Sequence, residues 1–247
     1  MKLAYAILNR LGANALRAAA AALCVLAAVL SFAEGIRENV AGEVATGVND
    51  NGPMIALTFD DGPYPGVTSE ILDVLEEYNV KATFFVLGSR VKGYENTLRR
   101  MEELECEVGN HTWSHADLTT LSSSQIVSEI ENTNEEFKRV LGHGAAVVRP
   151  PFGFYNSTVR RLVPYPLVLW TIDTGDWQRQ DPGRLTEKVL EQTKEGCVIL
   201  MHDQQTTTAE AMRDIIPALI RAGFRFVTIS EMIEEEGTQA TAVKFPP

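Results

Sequence analysis

The sequence predicts an α/β domain folded as a distorted or incomplete (β/α) barrel, and three observations carry that prediction. Short, near-continuous apolar runs alternate with stretches whose apolar residues recur at helical spacing, from Met54 to Ile229. Strands apolar on both faces, in that rhythm, imply a parallel sheet covered by helices. Polar candidates fall just after strand ends: Asp60 and Asp61, His111, Arg149, Asp173 and Asp176, His202. Groups that follow so many different strands converge most easily in a closed or nearly closed ring. An open doubly wound sheet is the rival, and the count of about seven clear strands leaves the barrel incomplete.

Met54 to Phe59 is the first strand, ended by Asp60-Asp61-Gly62-Pro63. Thr68 to Tyr78 carries Ile71, Leu72, Leu75 and Tyr78, a helical stripe. Ala82 to Leu87 is a second buried strand, Leu98 to Leu104 a helix, and Cys106 to Gly109 a third strand. The longest helix runs from Ser122 to Leu141 with Ile126, Ile130, Phe137 and Leu141 inward, and Ser122 to Ser124 suit its N-cap. Ala146 to Val148 and Leu167 to Ile172 are strands four and five. Asp181 to Thr193 is helical, with Pro182 suited to its first turn. Val198 to Met201, a helix over Thr208 to Ala222, and Phe226 to Ile229 complete the pattern.

This core occupies residues 53–233 of a 247-residue chain, a size at which one domain is ordinary. Residues 1–33 carry Lys2, Arg10 and Arg17, no acid, and an uncharged apolar run from Ala18 to Ala33. They read as an export signal, or as an N-terminal membrane anchor if retained, and put the rest of the chain in the cell envelope or outside. Residues 34–52 read as a linker and 234–247 as a frayed tail. The net charge is −11; without the leader, 19 basic face 33 acidic side chains, a net of −14. Such a surface repels nucleic acid at long range, so no nucleic-acid partner is expected. A neutral polymer is compatible with it, and so is an anionic one held by short-range contacts. Cys106 and Cys197 read as small buried hydrophobes, and a monomer is expected.

Asp61, His111 and His115 make up a 2-His-1-carboxylate set for one divalent metal, with positions left for water. Residues four apart on a helical turn face the same way, which would let both imidazoles bind one ion. Asp60 remains as a base. Two adjacent acids at a strand end repel unless a metal sits on one and a guanidinium on the other, and Arg149, stiffened by Pro150 and Pro151, is that guanidinium. His202 is the acid, oriented and charged by Asp176, while Asp173 suits a turn or cap. Phe152 and Trp177 would form an apolar wall for a sugar ring, and Leu200 the pocket edge or barrel interior. Zinc suits this donor set, which Co²⁺, Mn²⁺ and Fe²⁺ share.

Five segments stand in a familiar order: Thr58-Phe59-Asp60-Asp61-Gly62-Pro63, His111-Thr112-Trp113-Ser114-His115, Arg149-Pro150-Pro151-Phe152-Gly153, Asp173-Thr174-Gly175-Asp176-Trp177 and Leu200-Met201-His202-Asp203. Over residues 54 to 232 the chain resembles the polysaccharide deacetylases with a NodB-type homology domain, carbohydrate esterase family 4. The resemblance implies Asp60 as catalytic base, Asp61, His111 and His115 as metal ligands, His202 as acid, and Arg149 and Asp176 as their supports. It also implies that the backbone N–H of Phe152, where the family often has tyrosine, holds the oxyanion. The expected substrate is an N-acetylated polysaccharide, peptidoglycan or a chitin-like glycan. An O-acetyl esterase acting on acetylated xylan, or a catalytically silent glycan-binding wall protein, is the alternative.

Overall fold

The computed structural model describes residues 51–178, 181–236 and 242–243. The expected leader, most of the linker and part of the expected tail lie outside the described residues. Among the described residues no helix is long and apolar enough to cross a membrane, and Cys106 and Cys197 are buried free thiols.

The sheet is parallel throughout and centred on β1 (Met54–Asp60). On one side lie β2 (Thr83–Val86) and β3 (Glu107–Asn110), on the other β6 (Cys197–His202) and β5 (Ile172–Asp173). β7 (Arg225–Phe226) joins the start of β1. Beyond β3, Val148 bridges Asn110 on one side and Leu167 of β4 (Leu167–Val168) on the other, which curls the sheet toward a ring. β8 (Ala242–Val243) pairs with β4.

The ring does not close. The run expected as one strand from Leu167 to Ile172 is split into β4 and β5, because the residues between them spend their backbone groups elsewhere. Thr171 directs both its N–H and its hydroxyl to the Val198 carbonyl, at 2.9 and 3.1 Å. Leu169 gives its carbonyl to Arg149. The incomplete barrel predicted from sequence is therefore open on this side.

Outside the sheet, α1 (Val67–Glu77), α2 (Glu95–Glu103), α3 (Ser123–Leu141), α4 (Ser157–Leu162), α5 (Pro182–Gln192) and α6 (Thr206–Arg221) bury apolar faces such as Ile71, Leu72, Val74 and Leu75 of α1. The short α4 escapes the periodicity analysis; the Asn156 side chain starts it by accepting the N–H groups of Thr158 and Val159. The last strand also differs from expectation. Thr228 and Glu231 exchange hydrogen bonds between side chain and backbone N–H, a capping box that turns Ile229 into the first residue of α7 (Ile229–Glu236).

Strand alternation sorts the interior into layers, because residues i, i+2 and i+4 share a face. Ala56, Phe85, Val147, Val168 and Val198 pack as one apolar cluster, and Ile229 and Met232 of α7 join it. Two residues further along, Thr58 lies opposite Leu200, and two further again Asp60 lies opposite His202. The same face thus passes from apolar to titratable as it reaches the carboxyl ends of the strands.

Candidate metal centre and active site

Arg149 is wholly buried although it carries a full charge, and its partners explain why. One terminal nitrogen donates to Asp60 Oδ1 and to Thr58 Oγ1, each at 2.8 Å, and the other to the Leu169 carbonyl at 3.1 Å. Its guanidinium carbon stands 4.1 Å from the Phe85 ring centre. Burial pulls the Arg149 pKa down and Asp60 opposes that pull. Asp60, 3% exposed, is held by one oxygen, while its other oxygen lies 3.6 Å from His111 Nε2.

Asp61 has φ of 74°, a left-handed conformation uncommon for a non-glycine residue, and this breaks the strand alternation after Asp60. Its Oδ1 comes within 3.4 Å of His111 Nε2 and 3.3 Å of His115 Nε2. His111 Nδ1 lies 2.8 Å from the Arg149 carbonyl, which can only accept, so the proton sits on Nδ1 and Nε2 presents a lone pair. Asp61 Oδ1 is buried with no hydrogen-bond partner. Burial, and then the neighbouring His111, hold the His115 pKa below its ordinary value, which keeps a donor lone pair available. Acceptors aimed at one another in this way fit a cation between them, and this trio is a metal-competent cluster among the described residues.

The histidine pair converges by a route other than the expected helical turn. Residues 111–115 form an irregular loop with Thr112 at φ 69° and His115 at φ 61°. Side chains that sequence reasoning missed brace it. Glu129, on α3, accepts the N–H groups of Trp113 and Ser114 and the Ser114 hydroxyl at 2.7 to 2.9 Å. Asn110 Oδ1 accepts the Thr112 N–H at 2.8 Å, and the Asn110 amide is tied to α3 through the Ile130 carbonyl and Asn134. Nothing in local sequence links Glu129 to a loop fifteen residues earlier.

Across the sheet, His202 ends β6 with Nδ1 2.8 Å from Asp176 Oδ1. The other Asp176 oxygen accepts the His202 N–H at 2.7 Å and the Thr208 hydroxyl at 2.8 Å. Burial acts to lower the His202 pKa, but Asp176 outweighs it and the value rises to about 9, so the imidazole is protonated near neutrality. Asp173 accepts the Gly175 N–H at 2.9 Å, the turn role expected for it. Leu200 is 4% exposed on the interior face it shares with His202, so it lies inside the ring. Phe152 and Trp177 are more than half exposed at the rim, with the Phe152 ring edge-on to His115 at 4.6 Å between centroids.

Two further residues at the site went unassigned from sequence. Gln204 reaches Asp61 Oδ2 at 3.4 Å. Asp203 is fully buried, accepts the Thr68 hydroxyl at 2.6 Å and has its pKa pushed by burial up to about 7. Its carboxylate lies so close to Gly62 that a Cβ there would sit 2.0 Å from an oxygen. Gly62→Ala is therefore expected to destabilise the fold by about 2 kcal/mol through overpacking, as read by denaturant unfolding. A stability equal to wild type would contradict this contact.

A family model described as polysaccharide deacetylase matches residues 47–164. The peptidoglycan-N-acetylmuramic acid deacetylase PdaC of Bacillus subtilis is 42% identical over 187 residues, which is 76% of this chain and 40% of PdaC. The chain thus spans about two fifths of that relative. A peptidoglycan-N-acetylglucosamine deacetylase of Bacillus cereus is 32% identical over 200 residues, covering 78% of this chain and 93% of the relative. The PdaC structure superposes with a TM-score of 0.73, covering 76% of this chain and 93% of that one, at 41% identity. A family 4 acetyl xylan esterase from Clostridium thermocellum, solved with a cobalt ion, gives 0.72 at 35% identity, covering 75% of this chain and 92% of that one.

Proposed function

The chain belongs to the polysaccharide deacetylase family, and from that premise we propose that it is a metal-dependent N-deacetylase acting on peptidoglycan or a chitin-like glycan. The observation that carries this reading is the convergence of Asp61 Oδ1 with His111 Nε2 and His115 Nε2, beside an arginine-pinned Asp60. Asp61, His111 and His115 would hold the divalent cation, with zinc the best match to the donor set ahead of cobalt, manganese or iron. When bound, the cation would polarise a water and the acetamide carbonyl.

The remaining chemistry falls to the chain's own groups. Asp60, fixed through Oδ1, takes the proton of the attacking water on its free oxygen as that water's oxygen bonds to the carbonyl carbon. The Phe152 N–H serves the developing oxyanion, as the family resemblance implies. His202, protonated and oriented through Nδ1, delivers its Nε2 proton to the sugar nitrogen. The carbon–nitrogen bond breaks, leaving acetate and a free amine. Phe152 and Trp177 are rim faces for a sugar ring.

Asp176→Asn removes the charge that outweighs burial at His202, so the histidine loses its proton at lower pH. In this reading the acid form is the active one, so wild-type activity is expected to fall as pH rises through about 9. The alkaline limb of kcat in the variant is expected to move to lower pH; an unmoved limb would remove His202 as the acid.

Acetate release from peptidoglycan, chitooligosaccharide and acetylated xylan, before and after chelation and metal return, tests the whole reading. Release from xylan alone would support an O-acetyl esterase, the reading favoured by the likeness to the Clostridium esterase. Residues 1–33 serve as export signal or membrane anchor in this reading, and the monomeric domain works on the extracytoplasmic side.

A further inference from the structure

We infer that Phe154, Tyr155, Arg160 and Arg161 form an accessory subsite for a carboxylate-bearing sugar unit beside the one being deacetylated, an inference that rests on the glycan-hydrolase reading. The argument starts at the metal-side aromatic. Phe152 lies edge-on to His115, and the Phe154 ring follows with its centroid 5.8 Å further on. Both phenyl groups are more than half exposed, whereas most large apolar side chains among the described residues are buried. An aromatic pair leading away from the reacting centre provides successive faces for sugar rings.

At the next residue the surface changes character. Tyr155, Asn156, Arg160 and Arg161 line a recess of about 400 Å³. The Arg160 guanidinium stands 5.2 Å from the Tyr155 ring centre and donates to its hydroxyl at 3.3 Å, so its plane is held over an aromatic floor. Arg160 and Arg161 are exposed, and neither pairs with a carboxylate among the described residues. The chain has 33 acidic side chains against 22 basic ones, and Arg100, Arg139, Arg184 and Arg213 each pair with a carboxylate. Two adjacent guanidiniums beside Tyr155, next in the chain to Phe154 and without a carboxylate partner among the described residues, have the chemistry to receive a planar carboxylate.

In a wall glycan freed of its stem peptide that carboxylate is the lactyl group of N-acetylmuramic acid, which an attached peptide would convert to an amide. Chitin and xylan backbones built of neutral sugars have no counterpart. An overall acidic surface and an anionic polymer are reconciled when recognition is a short-range contact at one basic spot rather than long-range steering.

The test compares three soluble substrates: a tetrasaccharide of alternating N-acetylglucosamine and N-acetylmuramic acid, the same compound with its carboxylates methyl-esterified, and chitotetraose. Wild type should show a KM about tenfold lower for the free acid than for its ester, and high salt should close that gap. Arg160→Gln/Arg161→Gln should close it too by raising KM on the free acid alone, with kcat and the ester and chitotetraose constants unchanged. Phe154→Ala should raise KM on acid and ester alike, since stacking does not depend on that charge. Equal KM for acid and ester in wild type, or a gap that persists in the double arginine variant, overturns the inference. Equilibrium binding of acid and ester to wild type reads the subsite without turnover. Arginine-dependent preference for the acid with no acetate release would refute the hydrolase reading and keep the subsite, whereas equal binding would refute the subsite.

Discussion

Replacing Asp60 with Asn is expected to lower kcat for acetate release by about 10³-fold while the divalent metal stays bound. The amide keeps the size of the carboxylate and still offers an oxygen to the Arg149 nitrogen that now sits 2.8 Å from Asp60 Oδ1. It cannot take up the water proton. Asp61, His111 and His115 are untouched, so metal content measured on the purified protein should match wild type. The variant also leaves Arg149 buried opposite a neutral group, a change that costs stability, so activity is compared well below the unfolding transition. Turnover within tenfold of wild type would remove Asp60 as the base.

His111→Ala is expected to weaken metal binding by about 100-fold or more, since disturbing even the outer partners of a metal ligand costs 10- to 100-fold. Two effects combine. The trio loses one of its two imidazoles, and the Arg149 carbonyl loses the Nδ1 proton that fixed both the ring orientation and its tautomer. The loop from His111 to His115 keeps its ties to Glu129 and Asn110, so the fold should persist and the loss should be specific to the metal. Competition against a chromogenic chelator measures it, and an affinity within a few-fold of wild type would strike His111 from the ligand set.

Much of this site could be read from the chain because its chemistry sits where apolar runs stop. Asp60, His202 and Arg149 each follow a strand-forming segment, and burial in a parallel sheet makes such segments visible as continuous hydrophobic stretches. What escaped was decided by partners distant in sequence. The break between Val168 and Ile172 comes from Thr171 and Leu169 bonding to Val198 and Arg149, which no local pattern records. The His111–His115 spacing pointed to a shared ligand role for a helical reason that does not hold; left-handed residues and the Glu129 carboxylate do that work instead. Asp203 and Gln204 stood beside a recognised histidine, yet their roles depend on Thr68, Gly62 and Asp61 from the other end of the chain. The Thr228–Glu231 box, by contrast, was legible as a helix start and was overridden by the apolar run before it.

The placement of Asp60 on the middle strand of the sheet has a consequence for how such an enzyme can diversify. β1 is flanked by β2 and β6 and touched by β7, so the proposed proton acceptor is anchored with paired strands on both sides. The aromatic side chains at the rim, Phe152, Phe154 and Trp177, stand in solvent on short connecting segments. Exchange of those outer residues can redirect the enzyme from one polymer to another at little energetic risk, while the hydrolytic apparatus beneath stays in register.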